Sequence, residues 1–340
     1  MSERSRAVLL TVVALILVGS LLALVLSHQR FESGSTTTTG VTTQSLTSPG
    51  YTWLRGADLP TPRAETAAVL VGNEAYVIGG FDANGMASAK VEVYNTTSDT
   101  WRTASPLPVA MHHAGAALVN GMIFVVGGYL EGWIPTSAVW VYDPKSGMWS
   151  PATSMPTKRA ALAVQAINGR IFAIGGAGEA SVLSTNEIYD PLSEKWTDGA
   201  QMPTPRQHLA SAVVQGKLYA IGGRVSGVAT NLNVNEEYDP STDSWSARAP
   251  MPTNRSGIAA AVEGDRIFVL GGETPFGTLN TNEEYNPLGD TWTKAPPMPA
   301  SKHAISAVSA DGRVYVFGGG LSVGVSVTPE TVILVSENQR

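Results

Sequence analysis

Cysteine is absent from the 340 residues. That excludes disulfides, thiolate nucleophiles, zinc knuckles and any cysteine-derived cofactor. Charge is sparse, at 15% of residues with a net −6, and no basic stripe is available to neutralise phosphates, so nucleic acid is excluded as a partner. Helical periodicity is missing beyond residue 50. What is present, 35 Gly and 21 Pro in a chain that is 43% hydrophobic, describes a turn-rich globular protein.

The first fifty residues differ from the rest. From Ala7 to Ser27 runs AVLLTVVALILVGSLLALVLS, uncharged throughout and long enough as a helix to cross a hydrocarbon core of roughly 30 Å. This length favours one transmembrane helix over a cleaved signal, although Val25 and Ser27 would suit a small-residue cleavage site that makes the protein secreted. Arg4 and Arg6 precede the span, which places residues 1–6 in the cytoplasm and the remainder on the extracytoplasmic side. Residues 28–50, rich in Ser, Thr and Gly, form a linker that cannot bury enough apolar surface to order itself.

Residues 51–340 repeat. Gly-Gly pairs at 79–80, 127–128, 175–176, 222–223, 271–272 and 318–319 recur every 47 to 49 residues. Trp53, Trp101, Trp149, Trp196, Trp245 and Trp292 keep the same period, each followed seven positions later by Pro. Four short strands are legible per unit: a small-residue run, an aromatic and β-branched run ending in Gly-Gly, a run ending at Tyr, and one beginning at Trp. Such units cannot cover their own apolar faces, and stacking them around an axis does so. The sixth unit ends without its Trp strand, and YTWLR at 51–55 is that strand, so the two ends of the domain should pair to close the ring.

The Gly-Gly, Tyr and Trp at these offsets resemble kelch repeats, whose period is about 50, rather than WD40 repeats at about 40 to 45. The expected fold is all-β: a six-bladed kelch β-propeller whose N-terminal strand closes the last blade, preceded by the transmembrane helix. The resemblance leaves function open, because propellers host enzymes, adaptors and scaffolds alike. Turns between the first and second strands are tight pairs such as NG, QG and DG, so recognition should use the opposite face, where the loops after Gly-Gly vary most. The expected activity is a membrane-tethered module binding a protein, peptide or saccharide. The alternative that the resemblance allows is an exported sugar-modifying enzyme of the kind that interconverts sialic acid anomers. Galactose-oxidase-like chemistry is disfavoured, since that family's cofactor requires a Cys.

Two groups of candidate ligand-binding residues follow. Arg63, Arg159, Arg206, Arg255 and Lys302 stand three residues after the periodic Pro, with Met111 as the exception. They would suit a carboxylate ligand as a cationic ring at the channel mouth. Glu92, Glu187, Glu236 and Glu283 lie two residues before the periodic Tyr, however, and the unit that has Met111 has Trp140 there, so a bracing ion pair inside the blades is the competing reading. The second group, Tyr129, Glu131 and Trp133 in YLEGWIPT with Phe81, Arg224 and Phe276, would form an aromatic surface on the variable loops. His112, His113, His208 and His303 fall in the same connections, but no carboxylate stands near them at a recognisable ligand spacing, so neither a metal nor a cofactor is expected.

Overall fold

Alternation along each strand decides how the domain is built. In the strand Glu74–Ile78, Ala75 and Val77 pack toward the last blade while Tyr76 and Ile78 pack toward the second, because successive side chains leave a strand on opposite faces. A strand buried on both faces must be apolar at every position, which is why the second strand of each unit reads as an unbroken hydrophobic run.

The computed structural model describes residues 50–337. The expected cytoplasmic tail, the span Ala7–Ser27 and nearly all of the linker lie outside the described residues. Among the described residues no helix is long and apolar enough to cross a membrane.

Six four-stranded antiparallel sheets form the blades of a propeller. Blade 1 comprises Ala67–Val71, Glu74–Ile78, Val91–Asn95 and Thr100–Thr103, from the axis outward. Blades 2 to 5 repeat the pattern over 115–151, 163–198, 210–247 and 259–294. Blade 6 takes Ser306–Ala310, Arg313–Phe317 and Thr331–Ser336 from the C-terminal end, and its outermost strand is Tyr51–Gly56, paired antiparallel from Tyr51↔Ser336 to Gly56↔Thr331. The closure expected from YTWLR is therefore present, and it leaves no blade short of a strand.

The core is divided into six wedges, each shared by two neighbouring blades. Two sixfold bonds stitch the wedges. Each periodic Trp donates its indole N–H to a carbonyl one repeat earlier, as Trp101 does to Ala57 O at 2.9 Å and Trp245 to Ala200 O at 2.7 Å. Across the seam Trp53 makes the same bond to Pro296 O at 3.0 Å. The second Gly of each pair donates to the next blade, for example Gly128 N to Arg159 O at 3.0 Å. That approach explains the preceding glycine: at Gly127, with φ +64°, a Cβ would stand 2.5 Å from the same carbonyl oxygen. Small residues of the innermost strands, among them Ala68, Ala116, Ala260 and Ala307, line an axial channel of about 300 Å³.

Candidate functional site

Where each connection enters its innermost strand, the chain makes the same left-handed turn. Glu65, His113, Ala161, His208, Gly257 and Ala304 occupy this position in blades 1 to 6, with φ between 51° and 62°. Each donates its backbone N–H to the carbonyl of its counterpart in the preceding blade: His113 to Glu65, Ala161 to His113, His208 to Ala161, Gly257 to His208, Ala304 to Gly257 and Glu65 to Ala304, at 2.8 to 3.1 Å. The six bonds close a cycle around the axis. Left-handed backbone costs a residue with a Cβ roughly 1–2 kcal/mol, and five of the six carry one; the closed cycle is what offsets it.

The cycle brings three side chains together from blades 1, 2 and 4. Glu65 Oε1 stands 3.3 Å from His113 Nε2 and 3.8 Å from His208 Nε2, and the ligand-type atoms of all three lie within 4.8 Å of one another. They border a cavity of about 110 Å³. His112 Nδ1 faces His113 Nδ1 at 2.5 Å, and Gln207 Oε1 faces His208 Nδ1 at 3.1 Å. Arg224 reaches His208 Nε2 at 2.9 Å and Ser256 Oγ at 3.1 Å and forms an ion pair with Glu273, whose other oxygen lies 3.1 Å from His303 Nδ1.

Burial governs the charges. It pushes His112 down to about 4, a shift that His113 reinforces, and it pushes His208 well below its ordinary value despite the opposing charge of Glu65. Burial alone would raise the Glu65 carboxyl, but His113, by hydrogen bond and charge, leads the opposing interactions that hold it below the usual carboxylate range. His303 goes the other way: burial lowers it, and its bond to Glu273 more than restores it, leaving it above its ordinary value.

Comparison with known proteins bears on the frame that carries this cluster. Residues 41–201 match the model of the KLHDC2/KLHL20/DRC7 Kelch-repeats domain, and residues 205–252 and 254–299 match the Kelch motif. The propeller is built of kelch repeats. A solved structure described as "Structure of YjhT" is similar, with a TM-score of 0.71 and 16% sequence identity over 83% of this chain and 97% of that one. At that identity the likeness is one of fold. No curated protein matches.

In the kelch frame the five periodic cations do not line the channel mouth. The side chains of Arg63, Arg159, Arg206 and Arg255 are fully buried and pair with Glu92, Glu187, Glu236 and Glu283 of their own blades at 2.5 to 3.0 Å. Lys302, also buried, pairs with Glu330 at 2.8 Å. The guanidinium groups also reach strand carbonyls, as Arg206 does at Ala220 O and Arg255 at Val269 O. In four blades a Thr two residues before the Arg donates to the same Glu, as Thr61 does to Glu92 at 2.8 Å, which gives the recurring Pro-Thr-x-Arg a structural meaning. A ligand has no route to these charges, so the cationic ring gives way to blade-bracing ion pairs.

The loop candidates divide. Tyr129 and Trp133 converge on the axial cluster: Trp133, itself at φ 60° and half-exposed, packs at 4.7 Å from His112 and 5.3 Å from His113, and Tyr129 packs on both histidines at 5.5 Å. Arg224 joins from blade 4. Phe81, expected on the surface, is buried against His112 and His113, because its backbone is bridged on both sides, to Ala64 and to Ala87. Glu131 accepts from Ala87 N at 3.1 Å and ties two neighbouring loops together. Phe276 stands apart, fully exposed at the tip of a small hairpin formed by Glu273–Thr274 and Gly277–Thr278. Glu65, Glu273 and Gln207 were not singled out from the sequence. Aligning the six connections by repeat would have exposed Glu65, which shares one column with His113 and His208, and Gln207 beside it; Glu273, in the loop after Gly271-Gly272, would not have shown in that alignment.

Proposed function

We propose that this kelch propeller is a recognition module that binds a protein or peptide across the face carrying its post-Gly-Gly loops. It would be held outside the cytoplasm by the N-terminal span and linker. The observation that supports this is a discontinuous apolar rim: Met86, Trp133, Ile134, Val225, Phe276, Leu321 and Val325 are all exposed, and they come from five of the six loops around the axial polar cluster. Exposed apolar side chains ringing a polar centre on a rigid frame fit a partner surface better than they fit bulk water. The alternative, an exported sugar-modifying enzyme, needs a sugar-sized cavity. The cavity bordered by the axial cluster holds about 110 Å³, against roughly 300 Å³ or more for small-molecule pockets, and the axial channel of about 300 Å³ is lined by Ala, Val, Leu and Ser with Gln165 and carries no titratable side chain.

A photo-crosslinking residue placed at Phe276 of the full chain, in cells that naturally produce it, tests the reading. A discrete adduct at Phe276, absent when the same probe replaces Leu288 on the opposite face, is expected. No adduct at Phe276, or equal adducts at both positions, refutes it.

A further inference from the structure

The axial cluster has a composition and a geometry that bracing the blades does not require. Glu65, His113 and His208 come from three different blades, and each is fixed at its Cα by the hydrogen-bonded cycle. Ligands bonded at roughly 2.0–2.1 Å to a tetrahedral ion lie about 3.4 Å from one another. The Glu65–His113 separation of 3.3 Å already meets that, and the Glu65–His208 separation of 3.8 Å is close to it.

We propose that Glu65 Oε1, His113 Nε2 and His208 Nε2 bind a divalent first-row transition metal of the zinc or ferrous class at the loop-face end of the kelch channel. Two imidazoles and one carboxylate suit those ions. Calcium and magnesium take oxygen ligands, and soft Cu(I) takes sulfur. Three protein ligands leave a coordination position open, and the adjoining cavity of about 110 Å³ has room for roughly three waters at about 30 Å³ each.

The residues behind the ligands are placed as a metal requires. Gln207 Oε1 accepts from His208 Nδ1, which leaves Nε2 as the bare nitrogen. Without the ion, His113 donates Nε2–H to Glu65. Metal binding displaces that proton to solvent, and the contact between His113 Nδ1 and His112 Nδ1 holds the ring from behind. Arg224 would give up its bond to His208 Nε2 and keep those to Ser256 and Glu273, its charge answered by Glu273. None of this depends on what occupies the loop face.

The test uses the full chain in detergent, stripped with a chelator and then equilibrated with Zn²⁺ or Co²⁺. One ion per chain is expected, with a visible Co²⁺ absorption typical of a four-coordinate N/O site and no competition from Ca²⁺ or Mg²⁺. His208→Ala should abolish stoichiometric uptake. Gln207→Leu, which spares all three ligands, should weaken binding about 10- to 100-fold. His303→Ala should leave uptake unchanged, since His303 serves Glu273. Absence of stoichiometric metal in the folded parent chain overturns the proposal. So does uptake undiminished in both His208→Ala and Gln207→Leu, or uptake lost in His303→Ala alone. If His208→Ala does not fold, Gln207→Leu and the parent's Co²⁺ spectrum decide.

Discussion

In five blades a cation from the connection crosses to a carboxylate, and in blade 2 the matching positions hold Met111 and Trp140. Met111 is as buried as the arginines, and it packs in the wedge between blades 1 and 2 with Trp140 against it. Both solutions hold the same backbone, down to the bond from the preceding blade's second glycine to the carbonyl at this position, 2.9 Å at Met111 and 3.0 Å at Arg159. The ion pair is therefore one way of filling a buried site that apolar packing fills as well, in keeping with the near-cancellation of Coulomb gain and desolvation for buried pairs. Blade 2, freed of the pair, is also the blade that contributes two consecutive histidines and Trp133 to the axis.

The sharpest way to break this comparison is to remove one partner. Glu283→Ala leaves Arg255 buried and uncompensated, and denaturant unfolding should show a loss of about 3–5 kcal/mol. A loss under about 1 kcal/mol would mean that the strand carbonyls alone satisfy the guanidinium.

His112 of blade 2 should make stability depend on pH. His112 titrates at about 4 in the fold and near 6.5 when unfolded, so between those values the unfolded chain binds the proton that the folded chain refuses. Stability then falls as pH falls, by about 2 kcal/mol from pH 7 to pH 5 for this group. His208 acts in the same direction, and His303, raised by Glu273, acts in the opposite one. Comparing the pH slope of the parent with that of His112→Phe isolates the His112 share, and identical slopes would rule it out.

Transplanting the blade 2 solution is the constructive test. Arg255→Met with Glu283→Trp should stay within about 2 kcal/mol of the parent, whereas a loss as large as that of the single break would show that the two solutions are not interchangeable. The smallest effect concerns the seam. Trp53→Phe and Trp101→Phe each remove one indole hydrogen bond, worth about 1 kcal/mol, and the two losses should agree if the seam blade is stitched as firmly as an ordinary one.

How far the sequence could be read follows from where its regularities lie. Strand order, blade number and the closing strand were legible because each is a spacing along the chain, from Tyr94 to Trp101 or from Trp53 to Pro60. The bracing pairs were visible through the joint replacement at Met111 and Trp140. The axial cluster was not, because neighbours around a propeller axis stand a whole repeat or two apart: Glu65, His113 and His208 have nothing local to link them. The left-handed turn that gathers them carries no glycine signature either, since only Gly257 of the six is a glycine. Phe81 was misplaced on the surface because nothing in its local sequence shows the two backbone bridges that bury it.

The strand Tyr51–Gly56 closes the ring, and it is also where the chain enters the domain. Any force that reaches the propeller through residue 50 is applied first at the bond from Glu337 N to Gly50 O and then at the pair Tyr51↔Ser336, at the end of the seam away from the post-Gly-Gly loops. Because that end lies opposite the post-Gly-Gly loops, a load held at the loop face runs along the strand and is shared by all six of its residue pairs at once. The element that completes the last blade is thus also the clasp through which the domain would carry tension.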